Sequence, residues 1–389
     1  MTDLSSHEQP SHEQQLCRVA IIGGGLTGLF TATLLERVLQ ASPWSAQINI
    51  FEKSSGVGRL ATRYRTDNQT SQQWQWAFGA QFFTAKTSSF QQFIAPWLES
   101  KLIQPWCAPV IDLKPISASK QSPDIQQKEQ WDTGQARYIS TPKMTSWGRA
   151  LADELKHTVI SFKTRVAPLT QSTQNQTNKH TELFDEQGDS LGHFDWVICT
   201  APNAQAVALM ADSGFTKQAK ISEPQMQACY TLMLGWDNAH SLPETLNSQQ
   251  QPAWDVAHVQ DSIIDRLFIE HHKPNHDGLL PSITIHARND WSEQHVDEDI
   301  EAVKAQLLQA AQQALDWNED STPSQIDCHR WRYAATVTET DKEALGILVD
   351  QKQQWIVSGD WCGQGNIESC YQMAKETAAV IKRSIGIKE

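Results

Sequence analysis

Val19-Ala20-Ile21-Ile22-Gly23-Gly24-Gly25-Leu26-Thr27-Gly28 decides the fold of this chain. Four apolar residues, three of them β-branched, read as a buried parallel strand that opens into a GxGxxG turn. Leu29, Phe30, Ala32, Leu34, Leu35 and Val38 follow at helical spacing without Pro or Gly, so the turn leads into a helix. A second strand, Ile48-Asn49-Ile50-Phe51, ends on Glu52. Strand, turn, helix, strand and acid in this order are the context in which the motif binds a dinucleotide. Gly23 permits the tight turn, Gly25 lets backbone approach a pyrophosphate, and Gly28 lets the helix pack on the strand. The helix N-terminus adds unpaired N–H groups and a partial positive charge. Glu52 suits a ribose hydroxyl and repels a phosphorylated ribose, which favours FAD or NAD over NADP here.

Outward from that unit, Lys53-Ser54-Ser55-Gly56-Val57-Gly58-Arg59 leaves the second strand beside the expected pyrophosphate. Arg59 can neutralise phosphate charge bidentately, although a solvated turn fits the same residues. Trp76 to Phe83 is an apolar run that reads as a buried strand, yet it contains Gly79 and Gln81. Gly admits a flat ring, and the Gln amide offers it a donor and an acceptor. Phe90, Phe93, Ile94, Trp97 and Leu98 have helical spacing and read as core. Lys114 to Glu129 is polar and reads as a surface excursion, and Thr141 to Leu155 as a helix capped by Thr141 with Pro142 at its first position.

The 389 residues allow two or three domains with proper cores. A net charge of −13 repels nucleic acid and anionic membranes, so neither is an expected partner. There is no transmembrane run and no secretory pattern at Met1 to Pro10, so the expectation is a cytoplasmic protein. The 7 cysteines are scattered without a CxxC and read as reduced thiols, with no metal site expected, His7 and His12 included. The 15 Trp point to an aromatic-lined cavity as well as core packing.

Further along, a strand near Ile160 to Val166, a polar hairpin tip from Gln171 to His180, and a buried strand from Asp195 to Pro202 continue the nucleotide-binding sheet. From residue 205 the pattern changes. Strands at Ala228–Gly235, Ile263–His271 and Ser282–Ala287 precede a helix from Asp297 to Leu315, which suggests a second, α+β domain on an antiparallel sheet. Gln354 to Asp360 returns as a buried strand, and Tyr371 to Ile385 is a terminal helix stopped by Gly386. The expected fold is α/β: a doubly wound, Rossmann-type domain built from 17–86, 141–204 and 332–389, and a discontinuous α+β substrate domain from 87–140 and 205–331. Residues 1–16 read as a disordered tail.

These segments together resemble the bacterial renalase-type FAD-dependent oxidoreductases, relatives of the FAD amine oxidases and the hydroxybenzoate-hydroxylase fold. The resemblance runs from about Arg18 to the terminal helix and is carried by Gly23 to Gly28, Glu52, the Lys53 to Arg63 loop, Phe78-Gly79-Ala80-Gln81-Phe82-Phe83-Thr84, Thr200-Ala201-Pro202, His286 to Ser292, His329 to Tyr333 and Gly359-Asp360-Trp361-Cys362. It implies non-covalent FAD, with Gly23, Gly25, Thr27, Gly28, Glu52, Lys53, Arg59, Leu60, Gly79, Ala80, Gln81, Gly359, Asp360, Asn366 and Ile367 as contacts and Val166 offering its backbone to the adenine. It further implies oxidation of small-molecule substrates, the 2-dihydro and 6-dihydro isomers of NAD(P)H: hydride passes to flavin N5, and O2 then returns the flavin to its oxidised form as H2O2 is made. Two segments depart from the family pattern. The loop at Ser54 to Arg59 lacks one Arg and one Gly, and Gly365-Asn366-Ile367-Glu368-Ser369 replaces a Gly-Arg-Val-Glu-Gly pattern.

Hydride transfer needs a donor carbon held near flavin N5 in a dry cavity rather than a nucleophile. His286, Trp291, Trp331 and Tyr333 lie in family-like segments of the second domain and are the substrate-site candidates, against a plain packing role for each. An amine oxidase and a flavin-binding protein without turnover are the alternative functions. Cys362 and Cys370 read as buried and inert rather than as flavin attachment points.

Overall fold

The computed structural model describes residues 15–40, 42–56, 58–117, 121–170, 180–246, 252–337 and 343–387. The first fourteen residues of the expected tail, Val57 and Gln171 to Lys179 of the expected hairpin tip lie outside them. Gln15 and Leu16, placed in the tail by composition, begin the first strand, Gln15–Ile22.

Two sheets carry the molecule. The first has six strands in the order Leu348–Asp350, Trp355–Val357, Trp196–Cys199, Gln15–Ile22, Trp44–Glu52, Thr158–Phe162. All neighbours are parallel except the outermost pair at Leu348–Asp350. Parallel strands need both faces covered. The helices Leu26–Gln40 and Ile367–Ser384 cover one face, burying Val19, Ile21, Ile48 and Ile50. On the other face Ala20, Ile22 and Phe51 share a core with Leu183 and Phe194, which belong to the hairpin Thr181–Phe184 and Ser190–Phe194. This is the α/β, Rossmann-type architecture expected.

The second sheet has seven strands in the order Gln325–Thr336, Met226–Gly235, Ser282–Ala287, Ile264–Ile269, Val256–Val259, Pro109–Lys114, Asp124–Gln130. It is antiparallel save for one parallel pair, Val256–Val259 with Pro109–Lys114. The helix Ile300–Leu315 closes its back through Val303, Leu307 and Ala311, with Asp299 capping its first turn by accepting from the Glu301 and Ala302 N–H groups.

Several local expectations are corrected. The polar run from Lys114 to Glu129 is not a plain excursion: Asp124–Gln130 is the edge strand of the second sheet, where one exposed face tolerates polar residues. The helix expected from Thr141 is Thr145–Glu154. Thr141 donates its hydroxyl to the Lys101 carbonyl at 2.9 Å instead of capping, and the Thr141–Pro142 peptide is cis. The run beyond Trp76 stops being strand at Ala77, because Phe78 to Gln81 bond side chains and loops rather than a neighbouring strand. The terminal helix begins at Ile367, four residues before Tyr371, because Asn366 caps it through the Ser369 N–H. Strand Gln325–Thr336 runs past residue 331, so the expected domain boundary falls inside it. Helix Ser88–Glu99, assigned to the substrate domain, packs Phe90 and Phe93 against Phe30 and Tyr371 of the dinucleotide-side helices.

Candidate active site

The glycine turn has the geometry that a dinucleotide requires. Gly23 sits at φ +118°, and Thr200 clamps it by donating its hydroxyl to the Gly23 carbonyl at 3.0 Å. A Cβ on Gly28 would lie 2.1 Å from that carbonyl, so helix and strand meet only because residue 28 has none. A Cβ on Gly25 would meet nothing within 4 Å: here the turn faces open space, the cradle into which a phosphate can come against backbone. Glu52 accepts the Gly24 and Ser54 N–H groups, each at 2.7 Å, one on each oxygen. Its remaining lone pairs are free for hydroxyl donors. Val166 is buried and bridges to Asp185, and Thr164 donates its N–H to the Glu52 carbonyl, so this segment flanks the acid.

Other expected contacts divide by role. Arg59 donates to Asp360 at 2.5 Å and to the Ala334 carbonyl at 3.0 Å, joining the loop after Glu52 to the strand end at Gly359 and to the second sheet. Burial weighs against the Arg59 charge, but the Asp360 carboxylate outweighs it and moves the guanidinium pKa up. Lys53 turns to Gln205 at 2.8 Å, and Leu60 is core. Thr27 is buried in the first helix turn, and Asn366 and Ile367 form the start of the terminal helix.

Across from the Arg59 contacts the second sheet builds a wall. Cross-strand register aligns His329, Thr231, His286 and Arg266 in one row, so their side chains share a face. Trp331 is two residues on from His329 and stands on that face too. The row meets the segment beginning at Phe78, whose carbonyl accepts from Trp331 Nε1 at 2.8 Å and from Thr231 Oγ1 at 3.0 Å. A Cβ on Gly79 would lie 2.0 Å from the Arg59 carbonyl and 3.4 Å from the Trp331 ring, so this segment is pinned between the Arg59 loop and the wall. Trp331 stacks on Phe78 with ring centroids 5.4 Å apart, His329 meets both rings edge-on, and the Arg63 guanidinium lies over Phe78 at 5.0 Å. Arg63 and Arg65 share one carboxylate, Asp327.

Of the four substrate-site candidates, the structure brings His286 and Trp331 together at this wall, whereas Tyr333 lies in a bulge of the same strand, where the register against Met226–Gly235 shifts and alternation no longer assigns it a face. Trp291 lies elsewhere: it packs against Tyr230 and His295 in the core behind the sheet. Sequence reasoning missed His329 and Arg63, and also a buried polar cluster behind Gln81. Gln81 donates its amide to the Ala77 carbonyl and lies 3.3 Å from His286 Nε2, while its oxygen accepts from Lys273 Nζ at 2.8 Å. Lys273 pairs with Glu270 at 2.9 Å, and both are buried. Their signal was alternation: Arg266, Phe268 and Glu270 share one face of Ile264–Ile269 and its continuation, which directs an acid inward. Burial, followed by the charges of Lys273 and Arg266, pushes His286 down to about 3, and burial followed by Arg63 takes His329 to about 4, so both rings are neutral near pH 7.

Among the described residues no group of three or more His, Cys, Asp or Glu could hold a metal ion, and no helix is long and apolar enough to cross a membrane. All seven cysteines are free, and burial raises Cys370 to about 12, against thiolate chemistry.

Comparison with known proteins fits this geometry. Residues 21–96 match the NAD(P)-binding Rossmann-like domain family. Mouse (Mus musculus) renalase is 21% identical over 386 residues, covering 95% of this chain and 100% of renalase. The similarity to renalase is distant and runs along nearly the whole chain. Cyclohexylamine oxidase from Brevibacterium oxydans superposes with a TM-score of 0.67 at 11% identity, and putrescine oxidase bound to putrescine with 0.65 at 11%. Each covers 95% of this chain and is itself covered to 99%. At these identities the likeness is one of fold.

Proposed function

We propose that this protein is an FAD-dependent oxidase of the 2-dihydro and 6-dihydro isomers of NAD(P)H. In balance, one isomer, one O2 and one proton give NAD(P)+ and H2O2. FAD is the cofactor, and it supplies the hydride acceptor and the route of electrons to O2. The chain's own residues hold and enclose. Gly25 and the helix N-terminus receive the pyrophosphate, Glu52 a ribose, and Arg59 with Asp360 the region between phosphate and ring. Gly79, Ala80 and Gln81 stand at the ring, and Trp331, His329 and His286 exclude water from the face where substrate docks.

The observation that carries the choice of substrate is the state of Phe78. Trp331 stacks on it and Arg63 lies over it, so the ring offers no free face to an ammonium group. With two arginines against the single Asp327, the same corner repels a cationic amine and attracts the phosphates of a dinucleotide.

The test is anaerobic: flavin absorption is followed while the reduced isomers, ordinary 4-dihydro NADH and a panel of amines are added in turn. Bleaching by the isomers alone, reversed by air with formation of peroxide, is expected. Bleaching by an amine would make the protein an amine oxidase, the reading that the fold of its neighbours keeps open. Bound flavin that no compound bleaches would make it a flavin-binding protein without turnover.

A further inference from the structure

Glu270 and Lys273 form an ion pair that the fold alone does not require. The Glu270 side chain is 0% exposed and that of Lys273 3%. A buried pair seldom stabilises more than well-packed apolar residues in its place, so its retention calls for another account. The contacts supply one. Lys273 Nζ donates to Glu270 and to Gln81 Oε1, while Glu270 Oε1 also accepts the Thr284 hydroxyl at 2.6 Å. Lys273 Nζ further lies over the Trp106 ring at 5.1 Å, which helps to hold the ammonium group in place. An ammonium group can only donate and a carbonyl can only accept. Held between Lys273 Nζ and the Ala77 carbonyl, the Gln81 amide therefore has one orientation, with its NH2 group turned to His286 Nε2. The other oxygen of Glu270 is buried without a partner, so half of the acid's hydrogen-bonding capacity is left unused. Burial moves the Lys273 pKa down, and the Glu270 carboxylate works against that shift.

We propose that Glu270 and Lys273 are positioning residues: the pair locks the Gln81 amide, and with it sets the electrostatic potential at the bound flavin ring. The inference rests on the reading above that Gln81 stands at that ring. It does not depend on which substrate reduces the flavin.

Lys273→Met with Glu270→Gln removes both charges at nearly constant volume. In this double variant FAD content is retained, the midpoint potential of the flavin in dithionite titrations falls, and the visible bands of the bound flavin shift. Reduction by whichever substrate bleaches the wild type slows by about ten- to a hundred-fold, the scale of a misplacement of about 1 Å at a reacting centre. A second variant, Gln81→Met, keeps the ion pair and shifts potential and bands in the same direction. If the double variant binds FAD with wild-type potential and bands and differs only in melting temperature, the pair is structural and the proposal is overturned. An unshifted Gln81→Met overturns it as well, by removing Gln81 from the ring. Because dithionite reports the potential, failure of the dihydro-NAD(P) isomers to bleach the wild type is a separate result that bears on the substrate alone.

Discussion

Gly25 and Gly28 stand three residues apart in one turn, and a methyl group added at each has opposite consequences. At Gly28 the new carbon would meet the Gly23 carbonyl at 2.1 Å and Thr200 Oγ1 at 3.2 Å, so strand or helix must move. Overpacking of this kind costs about 1–3 kcal/mol. At Gly25 it would meet nothing within 4 Å, and the backbone there is not left-handed, so the FAD-free protein should change by no more than about 0.5 kcal/mol. The open space is where the pyrophosphate must approach, and weakening a hydrogen bond to a charged group there costs about 1.5–3 kcal/mol. That corresponds to a Kd for FAD raised by about ten- to a hundred-fold. Urea unfolding of the FAD-free variants, with flavin fluorescence titration of each, separates the two effects. Gly25→Ala should lose affinity and keep stability; Gly28→Ala should lose stability first. A Gly25→Ala protein that binds FAD like the wild type would refute the assignment of this turn to the pyrophosphate.

Arg59→Met leaves Asp360, with only 8% of its side chain exposed, without its ion-pair partner. FAD affinity should fall by about ten-fold or more, on the scale of a lost charged hydrogen bond, as read by the same titration. Trp331→Phe keeps an aromatic ring but loses the bond to the Phe78 carbonyl. Its anaerobic flavin reduction should slow while FAD content stays constant, and equal losses of both would place Trp331 in the fold rather than the wall. His286 sits at about 3 when folded against 6.5 ordinarily, so between these values the unfolded chain holds a proton that the folded one does not. Its contribution is therefore complete above pH 6.5 and is lost as the pH falls towards 3. His286→Gln should be less sensitive to acid than the wild type in urea melts between pH 7 and 4, and parallel profiles would count against a buried neutral ring.

The dinucleotide half was legible because its constraints are local. A strand, a glycine turn, a helix and an acid follow one another within 34 residues, Val19 to Glu52, and each residue's task depends on near neighbours in the chain. The wall was legible only in part, because it is assembled from Phe78, Arg63, His286, His329 and Trp331, and only cross-strand register puts these together. Trp291 illustrates the limit. It is five residues from His286, but the strand ends at Ala287 and the helix Asn289–Gln294 carries Trp291 to the opposite side of the sheet. Thr141 failed as a cap for a related reason: a carbonyl distant in sequence, that of Lys101, took its hydroxyl.

The distribution of charge around the wall bears on the chemistry. Oxidation of a dihydronicotinamide passes a hydride and leaves no proton to be taken from the donor carbon, so the wall needs no general base. Its two histidines accord with that: both are held neutral at pH 7, by burial first and by neighbouring cations second. An amine oxidase binds a substrate that is cationic in water, and must shed its proton and shelter it. Arg63 over Phe78 raises the cost of bringing such a cation in, while it favours the phosphates of a dinucleotide. Salt should then discriminate between substrates. Raising ionic strength should weaken the apparent affinity for a dinucleotide and relieve the repulsion of an amine. Stopped-flow reduction at two salt concentrations reads this directly. A dinucleotide isomer whose affinity does not respond to salt would mean that the Arg63 corner lies outside the path of its phosphates.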